Sequence, residues 1–512
     1  RSLVGKWDQQ RRFDQEVLLD KIINEIKKIN IPVTAVNGTI LLTIYESQSN
    51  FSAINKSVLV ENFIEALLDK WSPDSALRKT FDFTNQTHLL GYIARWMCTT
   101  ETYLPSKGKI LEIILTYLND LGLNHNASAI LENFIKSKIL HCRLDDTISF
   151  RYRAFFEYFL ASEMQNDVEF RNWVLQEDRY LGFINEIQYY AGINRRDMDL
   201  IDVISKRFIV DEQYAIATPQ WDPNLNSLTD YKLPNENTEA DKILGEYERQ
   251  VGAQPLTKEE RDEILEADLP KDVENRQEVF RPKINSVFDK IYLGLLLYSA
   301  VLRDLELISG NEKEKHLENV LRGWGLLLMH SLILVPQIAR HRKFKLDGVV
   351  YEVLAPLSFT ETQVARLLYV GMPTSMATML FNVVGTEKLQ LQIAKPLETR
   401  KTDPEIINFF RISLLADLKI EKWWENFSVF SEKNKKSKYM LHILLWKMRE
   451  LHMMGDVPNI GADRFKRIVS ETISFFSSYR KKEDRNRMIS NQIQKMNKED
   501  YIRKIRINNE LK

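Results

Sequence analysis

Three polar side chains stand next to one another where an extended segment gives way to a helix. They are Arg151, Tyr152 and Arg153, and Glu157 follows one helical turn later. Guanidinium groups bind phosphate through paired N–H donors, and a phenol hydroxyl donates and accepts hydrogen bonds without becoming a cation. The group could therefore contact a phosphorylated ligand. The alternative is a buried hairpin-to-helix corner with solvated arginines, in which Glu157 forms an ion pair with Arg151 or Arg153.

Apolar side chains surround this polar group at helical spacing. Phe155, Phe156, Phe159 and Leu160 fall on one stripe of a helix, and Phe150 ends the extended piece before it. This spacing predicts that the aromatic side chains hold the extended piece against the helix.

The rest of the sequence contains no constellation that matches a catalytic centre. The histidines lack metal-ligand spacing, and His141 and Cys142, as neighbours on a strand, point to opposite faces. No Gly-x-x-x-x-Gly-Lys-Ser/Thr loop is present to cradle phosphates, and no strand is followed by clustered aspartates that could hold Mg²⁺. We therefore predict no catalytic and no metal-binding residues in this segment.

Composition indicates a mainly α, globular chain of several domains. Of the 512 residues, 44% are hydrophobic and 28% are charged, and the net charge of zero argues against a generally nucleic-acid-like surface. The 18 glycines and 15 prolines are sparse, which favours helix. Two cysteines, Cys98 and Cys142, form no disulfide framework and suggest a reducing, cytoplasmic compartment.

The order of predicted elements limits the folds that the first 165 residues can adopt. Three helices precede two short extended pieces, at residues 139–143 and 148–150, which a polar turn joins. This is the element order of a winged-helix domain. From pattern alone, an irregular helical domain with a stray hairpin is an equal alternative.

Six segments are predicted from shifts in composition. Residues 230–278 hold 15 acidic and 7 basic residues, a net charge of −8, whereas residues 480–512 hold 11 basic and 5 acidic residues, a net charge of +6. The predicted segments are a helical domain (1–86), a winged helix (87–165), further helices (166–210), an acidic linker or arm (211–284), a C-terminal helical domain with a few short strands (285–479), and a basic tail (480–512).

Within the C-terminal domain, three local patterns carry predictions. Residues 344–353 alternate around Asp347-Gly348 and suggest a hairpin. Residues 389–393 suggest a short strand, and Met372-Pro373 is expected to end a helix. Residues 323–339 form an apolar run that contains His330 and Pro336, so a buried core helix is favoured over a membrane span.

Three blocks in residues 31 to about 200 resemble the region that follows the nucleotide-binding core in bacterial NACHT proteins, members of the STAND class of NTPases. Residues 35–42 resemble the family's Asn-Pro-x-x-Leu-Leu segment, and residues 54–63 resemble its Asn-Arg-x-x-Leu-Tyr-Glu-x-Phe helix. Residues 150–158 resemble Phe-x-His-x-x-Phe-Gln-Glu-Tyr at the end of its winged helix. The resemblance covers about a third of the chain.

This resemblance implies roles for specific residues. It implies that Asn37, Gly38, Arg151, Tyr152 and Arg153 face a nucleotide. It also implies that four residues of the winged-helix corner, Phe150, Phe155, Glu157 and Tyr158, belong to a structural switch. The ATP or ADP, with Mg²⁺, would be bound mainly by a domain upstream of residue 1, because the P-loop is absent here.

Two positions depart from the family's pattern. Tyr152 stands where many members carry a histidine that contacts the nucleotide phosphates, and Gly38 stands where the family has a proline near the base. Because tyrosine is not a cation near neutral pH, its contact with a phosphate would be weaker, and the flanking arginines could supply the charge.

The leading functional hypothesis is the regulatory and sensor portion of a NACHT-type, NLR-like STAND protein. The resemblance implies antiviral, anti-phage defence, in which a foreign protein or other trigger binds the C-terminal domain and releases a nucleotide-gated closed state. The expected partners are the upstream NACHT core, an N-terminal effector and further copies of the chain on activation. Nucleic acid and membranes are not expected partners.

Two alternatives remain from other functional classes. One is a winged-helix DNA-binding STAND transcription regulator, against which the predicted helix 127–137 offers only Lys136 as a base beside Glu132. The other is a helical scaffold that does not switch.

Overall fold

The protein is mainly helical, as its composition predicts. The computed structural model describes residues 35–47, 55–70, 81–218, 221–233, 286–346, 349–353, 358–400, 402–453, 462–476 and 481–494, with single positions at 22, 23, 26, 31, 34, 284, 355 and 497. The described residues up to Leu200 form one compact unit, unit 1, and those from Ile201 onward form a second, unit 2.

Unit 1 is built of helices around one small hairpin. In chain order its elements are α1 (Ala35–Ser47), α2 (Lys56–Glu65, extended by a π-helical turn, Ala66–Lys70), α3 (Phe83–Thr99), α4 (Lys107–Asp120), α5 (Ala127–Lys136), β1 (Leu140–Cys142), β2 (Ile148–Phe150), α6 (Arg153–Asn166), α7 (Val168–Val174) and α8 (Ile184–Ile193). α6 packs against α3 on one side and against α8 on another.

Polar caps explain where the helices of unit 1 begin. The side chains of Asn55, Asp82, Ser106 and Asn126 each accept a hydrogen bond from the backbone N–H three residues later. Each bond satisfies a donor that the first turn of a helix would otherwise leave unpaired.

The hairpin pairs its strands antiparallel, with Leu140 opposite Phe150 and Cys142 opposite Ile148. Asp146 adopts a left-handed backbone conformation (φ 62°) in the turn. The Ile148 N–H donates to the Pro105 carbonyl oxygen at 2.8 Å, which fixes β2 against the entry to α4. The predicted order of three helices and a hairpin is confirmed, while its assignment as a winged helix stays a prediction.

Unit 2 consists of long helices and a second hairpin. Its elements are α9 (Met198–Ile216, mostly in this unit), a 3₁₀ turn (Leu225–Asp230), α10 (Val287–Asp304), α11 (Gly310–His341), β3 (Lys343–Leu346), β4 (Val349–Glu352), α12 (Glu361–Val384), a 3₁₀ turn (Glu387–Leu389), α13 (Gln390–Thr399), α14 (Glu405–Asp417), α15 (Trp423–Lys433), α16 (Lys438–Met453) and α17 (Ala462–Ser474). β3 and β4 confirm the predicted second hairpin.

Two local predictions in unit 2 are wrong. Residues 389–393 are helical rather than a strand, because Leu389 and Ile393, four positions apart, are both buried on one helical face. Met372-Pro373 does not end a helix, since α12 continues through Pro373 to Val384. The burial of Val364, Leu380 and Val384 offsets the backbone bond that the proline removes.

Two fully buried cations are paired within unit 2. Arg411, with no exposed side-chain surface, donates to Asp403 at 2.7 Å and to Glu318 at 2.5 Å. Lys447, equally buried, lies 2.8 Å from Asp417. Because an isolated buried charge is costly, these partners are required for the helices to pack.

Two helices of unit 2 are long and apolar enough, by length and composition, to cross a membrane. They are α11 and α12, and 67% and 44% of their most apolar windows are buried within the protein. Core helices of globular proteins pass the same test, so these features are weak evidence for a membrane span.

Part of the predicted acidic linker belongs to unit 2, which corrects its start at residue 211. Residues 211–216 continue α9, and Trp221, Leu225 and Leu228 are buried. Trp221 stacks on His330 with ring centroids 4.1 Å apart. Trp221, Leu225 and Leu228 are separated by exposed polar side chains. The average composition of the segment is therefore polar and did not indicate that these three residues are buried. Residues 234–283, including the capping box predicted at residues 257–260, lie outside the described residues.

We expect Trp221→Ala to lower the free energy of unfolding of unit 2 by about 3 kcal/mol, because it empties a stacked, buried site. Asn226→Ala, at an exposed position of the same segment, should change it by less than about 0.5 kcal/mol. Urea unfolding followed by circular dichroism measures both. Equal stability of the two variants would restore the linker interpretation of residues 221–233.

Candidate functional site

The hairpin-to-helix corner brings together two of the predicted nucleotide-facing residues. The Tyr152 hydroxyl oxygen lies 3.2 Å from Asn37 Nδ2 and 3.3 Å from Asn37 Oδ1, across a separation of 115 residues. Both residues are buried, with 2% of Asn37 and 8% of Tyr152 exposed. This bond joins the first turn of α1 to the start of α6.

Backbone geometry at the corner directs Tyr152 toward α1. Tyr152 occupies the N-cap position of α6 with an extended backbone (φ −129°, ψ 143°), and its side chain makes no capping bond. Its carbonyl oxygen accepts the first helical bond, from the Phe155 N–H at 3.0 Å, and the Arg151 N–H donates to the Ile139 carbonyl oxygen. The hydroxyl is therefore available to a partner outside α6.

Asn37, the partner of Tyr152, is positioned by Thr34, which was not predicted to belong to the site. Thr34 Oγ1 accepts a hydrogen bond from the Asn37 N–H at 3.1 Å, and the Thr34 carbonyl oxygen accepts one from the Gly38 N–H at 2.9 Å. Gly38 is itself buried. A threonine just before a helix is a recognisable N-cap signal, so this residue could have been found from the sequence.

The two arginines of the corner have protein partners. Arg151 Nη1 donates to His141 Nδ1 at 3.1 Å, which places the imidazole proton on Nε2 when the ring is neutral. Arg153 Nε donates to Glu157 Oε1 at 2.6 Å, so the predicted ion pair forms with Arg153. Asn185 Nδ2 also donates to Glu157 Oε1, at 2.8 Å. Neither His141 nor Asn185 was predicted to belong to this site.

Aromatic contacts confirm that the hairpin is held against α6. The Phe150 ring lies 5.6 Å, centroid to centroid, from both Phe156 and Phe159. Phe155 contacts Tyr152 at 5.1 Å and Phe63 of α2 at 6.0 Å. Such pairs contribute about 0.5–1.5 kcal/mol each beyond the burial of their area. The same aromatic cluster therefore connects α2, the hairpin and α6.

Tyr158 extends this cluster toward α8. Its ring meets that of Tyr189 edge to face at 6.1 Å. Burial raises the pKa of the Tyr158 phenol well above its ordinary value, and the nearby charge of Glu61 raises it further. Tyr158 is thus a neutral phenol at physiological pH, and no charge at this position can drive a switch.

A second polar contact ties α2 to the end of α8. Asn55 Nδ2 donates to the Gly192 carbonyl oxygen at 2.9 Å, and Ser57 Oγ donates to that of Tyr189 at 2.8 Å. Lys56 Nζ lies 4.5 Å from the centre of the Tyr189 ring. A Cβ atom on Gly192 would lie 2.2 Å from Ser57 Oγ, so this close approach requires glycine.

The polar side chains of the corner bond to one another and to neighbouring protein groups. Asn37 and Tyr152 bond to each other, Arg151 bonds to His141, and Arg153 bonds to Glu157. Within the described residues, no group of three or more His, Cys, Asp or Glu side chains could hold a metal ion. A nucleotide contact by these residues stays a prediction.

Comparison with known families identifies one match. The family model described as novel STAND NTPase 4 matches residues 103–160, which run from the approach to α4 through the hairpin into α6. No curated protein matches the sequence. No solved structure matches it either.

The match supports a STAND NTPase-related protein. It includes the third block of the resemblance, residues 150–158, with Tyr152 and the phenylalanines of the hairpin and α6. The blocks at residues 35–42 and 54–63 lie outside it. The corner is therefore the part of the candidate site on which the resemblance and the family match coincide.

We expect Tyr152→Phe and Asn37→Ala to be coupled in a double-mutant cycle by about 1 kcal/mol, the usual net value of a buried hydrogen bond. The free energy of unfolding in urea measures the coupling. As a control, Asn37→Ala should not couple with Tyr190→Phe, whose hydroxyl bonds Arg171 and Asp197. A coupling indistinguishable from zero would contradict the Asn37–Tyr152 bond.

Gly192→Ala should lower the free energy of unfolding of unit 1 by about 2 kcal/mol, because the added methyl group overlaps Ser57. Gly108→Ala in α4, where the nearest atom to the new Cβ would be 4.0 Å away, should be neutral or slightly stabilising. Adding Ser57→Gly should partly rescue Gly192→Ala. Thermal and urea unfolding distinguish these outcomes, and equal effects of the two alanine variants would exclude the close contact.

Proposed function

We propose that this chain is the regulatory and sensor portion of a NACHT-type, NLR-like STAND protein that acts in the cytoplasm in bacterial anti-phage defence. In this proposal an upstream domain binds ATP or ADP with Mg²⁺, unit 1 reports the nucleotide state, and unit 2 binds the trigger. Activation releases a closed state, and the protein then forms a homo-oligomer and engages an N-terminal effector.

The observation that carries the proposal is the buried bond between Asn37 and Tyr152. It joins the helix that resembles the start of the family's first helical domain to the corner of the proposed winged helix. A bond between two such segments can distinguish a closed from an open arrangement, since it exists only while α1 and α6 are together. A scaffold that does not switch would also tolerate this bond, and the two hypotheses differ in the effect that losing it has on oligomerisation.

In this proposal Tyr152 acts through Asn37 rather than as a cationic phosphate ligand. The phenol keeps the hydrogen-bonding capacity of the histidine that many family members carry, but it adds no positive charge. Opening would separate the Tyr152 hydroxyl from the Asn37 amide, while the Phe150, Phe155 and Glu157 contacts keep the hairpin and α6 as one piece. The switch would then be a displacement of α1 from an intact corner.

A trigger at unit 2 can shift this equilibrium only by the difference between its affinities for the closed and open states. Moving the population from one per cent to 99 per cent open would require about a 10⁴-fold difference in affinity. The proposal therefore requires a trigger surface in unit 2 that differs between the two states.

The DNA-binding alternative gains no support from the described helices of the proposed winged helix. Lys136, the base that α5 offers, is paired with Glu132 at 3.4 Å. A recognition helix requires exposed donors for base edges and phosphates. We therefore propose switching rather than DNA recognition as the function of this domain.

In a protein that also carries the proposed upstream nucleotide-binding domain, Tyr152→Phe should raise the open-to-closed ratio about fivefold, the equivalent of one lost hydrogen bond. Light scattering coupled to size-exclusion chromatography, with ADP and with ATP, measures the oligomer fraction. The wild type should be closed and monomeric with ADP. Tyr152→Phe should form more oligomer with ATP in the absence of trigger.

The control is Tyr190→Phe, which removes another hydroxyl of unit 1 away from the corner. It should leave the oligomer fraction at the wild-type value. A protein that remains monomeric with every nucleotide, in both variants and with phage-infected cell extract added, would refute the proposed function. Oligomerisation without dependence on Tyr152 would refute only the role of the Asn37–Tyr152 bond.

A further inference from the structure

A cavity of about 600 Å³ lies in unit 2 beneath the most C-terminal described helix, residues 482–494, which we call the strap. α15 and α17 form its other walls. Its size falls within the range of small-molecule sites. The residues that line it are Ser428, Ser431, Glu432, Arg467, Ile468, Glu471, Phe475, Arg485, Asn486, Ile489, Ser490 and Ile493.

The strap presents one helical face to this cavity. Arg485, Ile489 and Ile493 recur every four residues, and each is only half-buried. A helix that completed a core would bury these isoleucines fully, as α17 buries Ile468. The strap therefore covers the groove between α15 and α17 without filling it, and the remaining apolar surface can contact a ligand.

Side-chain contacts hold the strap at its two ends. Near its start, Arg485 Nε donates to Ser474 Oγ at 2.8 Å, and the guanidinium lies 4.5 Å from the centre of the Phe475 ring. Beyond its end, Lys466 Nζ donates to Asn497 Oδ1 at 2.9 Å. The cavity lies between these contacts, so a ligand can enter without breaking them.

The charged side chains that line the cavity are two arginines and two glutamates, and their pairing differs. Glu471 is paired with Arg467 at 2.8 Å, and Glu432 is paired with Lys435 at 2.5 Å. Arg485 differs, because within the described part of the chain its side chain contacts only the neutral Ser474 and the Phe475 ring. With Nε engaged by Ser474, the two terminal nitrogens of its guanidinium remain available for an anion. A guanidinium binds carboxylate, sulfonate or phosphate groups through such paired donors.

We propose that this cavity binds an amphipathic organic anion. The acidic group would bind the terminal nitrogens of Arg485, and the apolar body would lie on Ile468, Ile489 and Ile493. Ser431 and Ser490 supply hydroxyl groups beside these contacts. The site does not depend on nucleotide switching. Failure of this proposal would therefore leave the proposed function untouched, and the reverse also holds.

The test uses the full chain and the dye anilinonaphthalene sulfonate, which combines a sulfonate with an aromatic body. Fluorescence titration should show one saturable site per chain. Arg485→Gln should weaken binding about tenfold, because it removes a charge-assisted contact. Arg487→Gln makes the same change in net charge two positions away, outside the cavity lining, and should leave the affinity unchanged.

A second pair of variants tests whether binding requires the open volume of the cavity. Ser490→Phe fills the cavity and should abolish the saturable site, whereas Asn491→Phe, on the neighbouring face of the strap, should retain it. Circular dichroism and thermal melts verify that each variant is folded. The proposal is overturned if no saturable binding occurs, or if Arg485→Gln and Arg487→Gln titrate alike.

Discussion

A hydrogen bond between the Asn37 amide and the Tyr152 hydroxyl connects the first described helix of the chain to the corner on which unit 1 is centred. The corner is rigid for reasons of its own, because Phe150, Phe156 and Phe159 pack the hairpin onto α6 and Glu157 is held by Arg153 and Asn185. The bond to Asn37 therefore adds a connection between segments rather than stability within one. α2 depends on a second such connection, through Asn55, Ser57 and the close approach at Gly192.

These contacts assign different physical tasks to neighbouring residues of the corner. The phenylalanines supply burial and carry no titratable group. Tyr158 is neutral at physiological pH, since burial raises the pKa of its phenol above an already high ordinary value. Tyr152 supplies one directional bond that a displacement of α1 would break. Loss of this bond alone would shift the equilibrium between the two states by about 1 kcal/mol.

The sequence predicted local features of this arrangement better than distant ones. The apolar stripe from Phe155 to Leu160 and the hairpin before it follow from periodicity, and the Arg153–Glu157 pair follows from helical spacing. The partner of Tyr152 could not be derived in that way, because Asn37 approaches it only through the tertiary fold. The partner of Arg151, His141, lies across the same hairpin and depends on the strand register. Asn37 entered the candidate site through resemblance alone. The helix through Pro373 and the buried Trp221 were missed because packing outweighed a proline and an unfavourable local composition.

The central claim is that α1 leaves an intact corner when the protein is activated. Hydrogen–deuterium exchange of a protein that includes the proposed upstream domain, with ADP and then with ATP and phage-infected cell extract, tests it most directly. The account predicts that peptides covering α1 lose protection on activation, while peptides covering the hairpin and α6 keep theirs. Unchanged protection of α1 in an oligomer, or simultaneous loss of protection in α1 and α6, would contradict it.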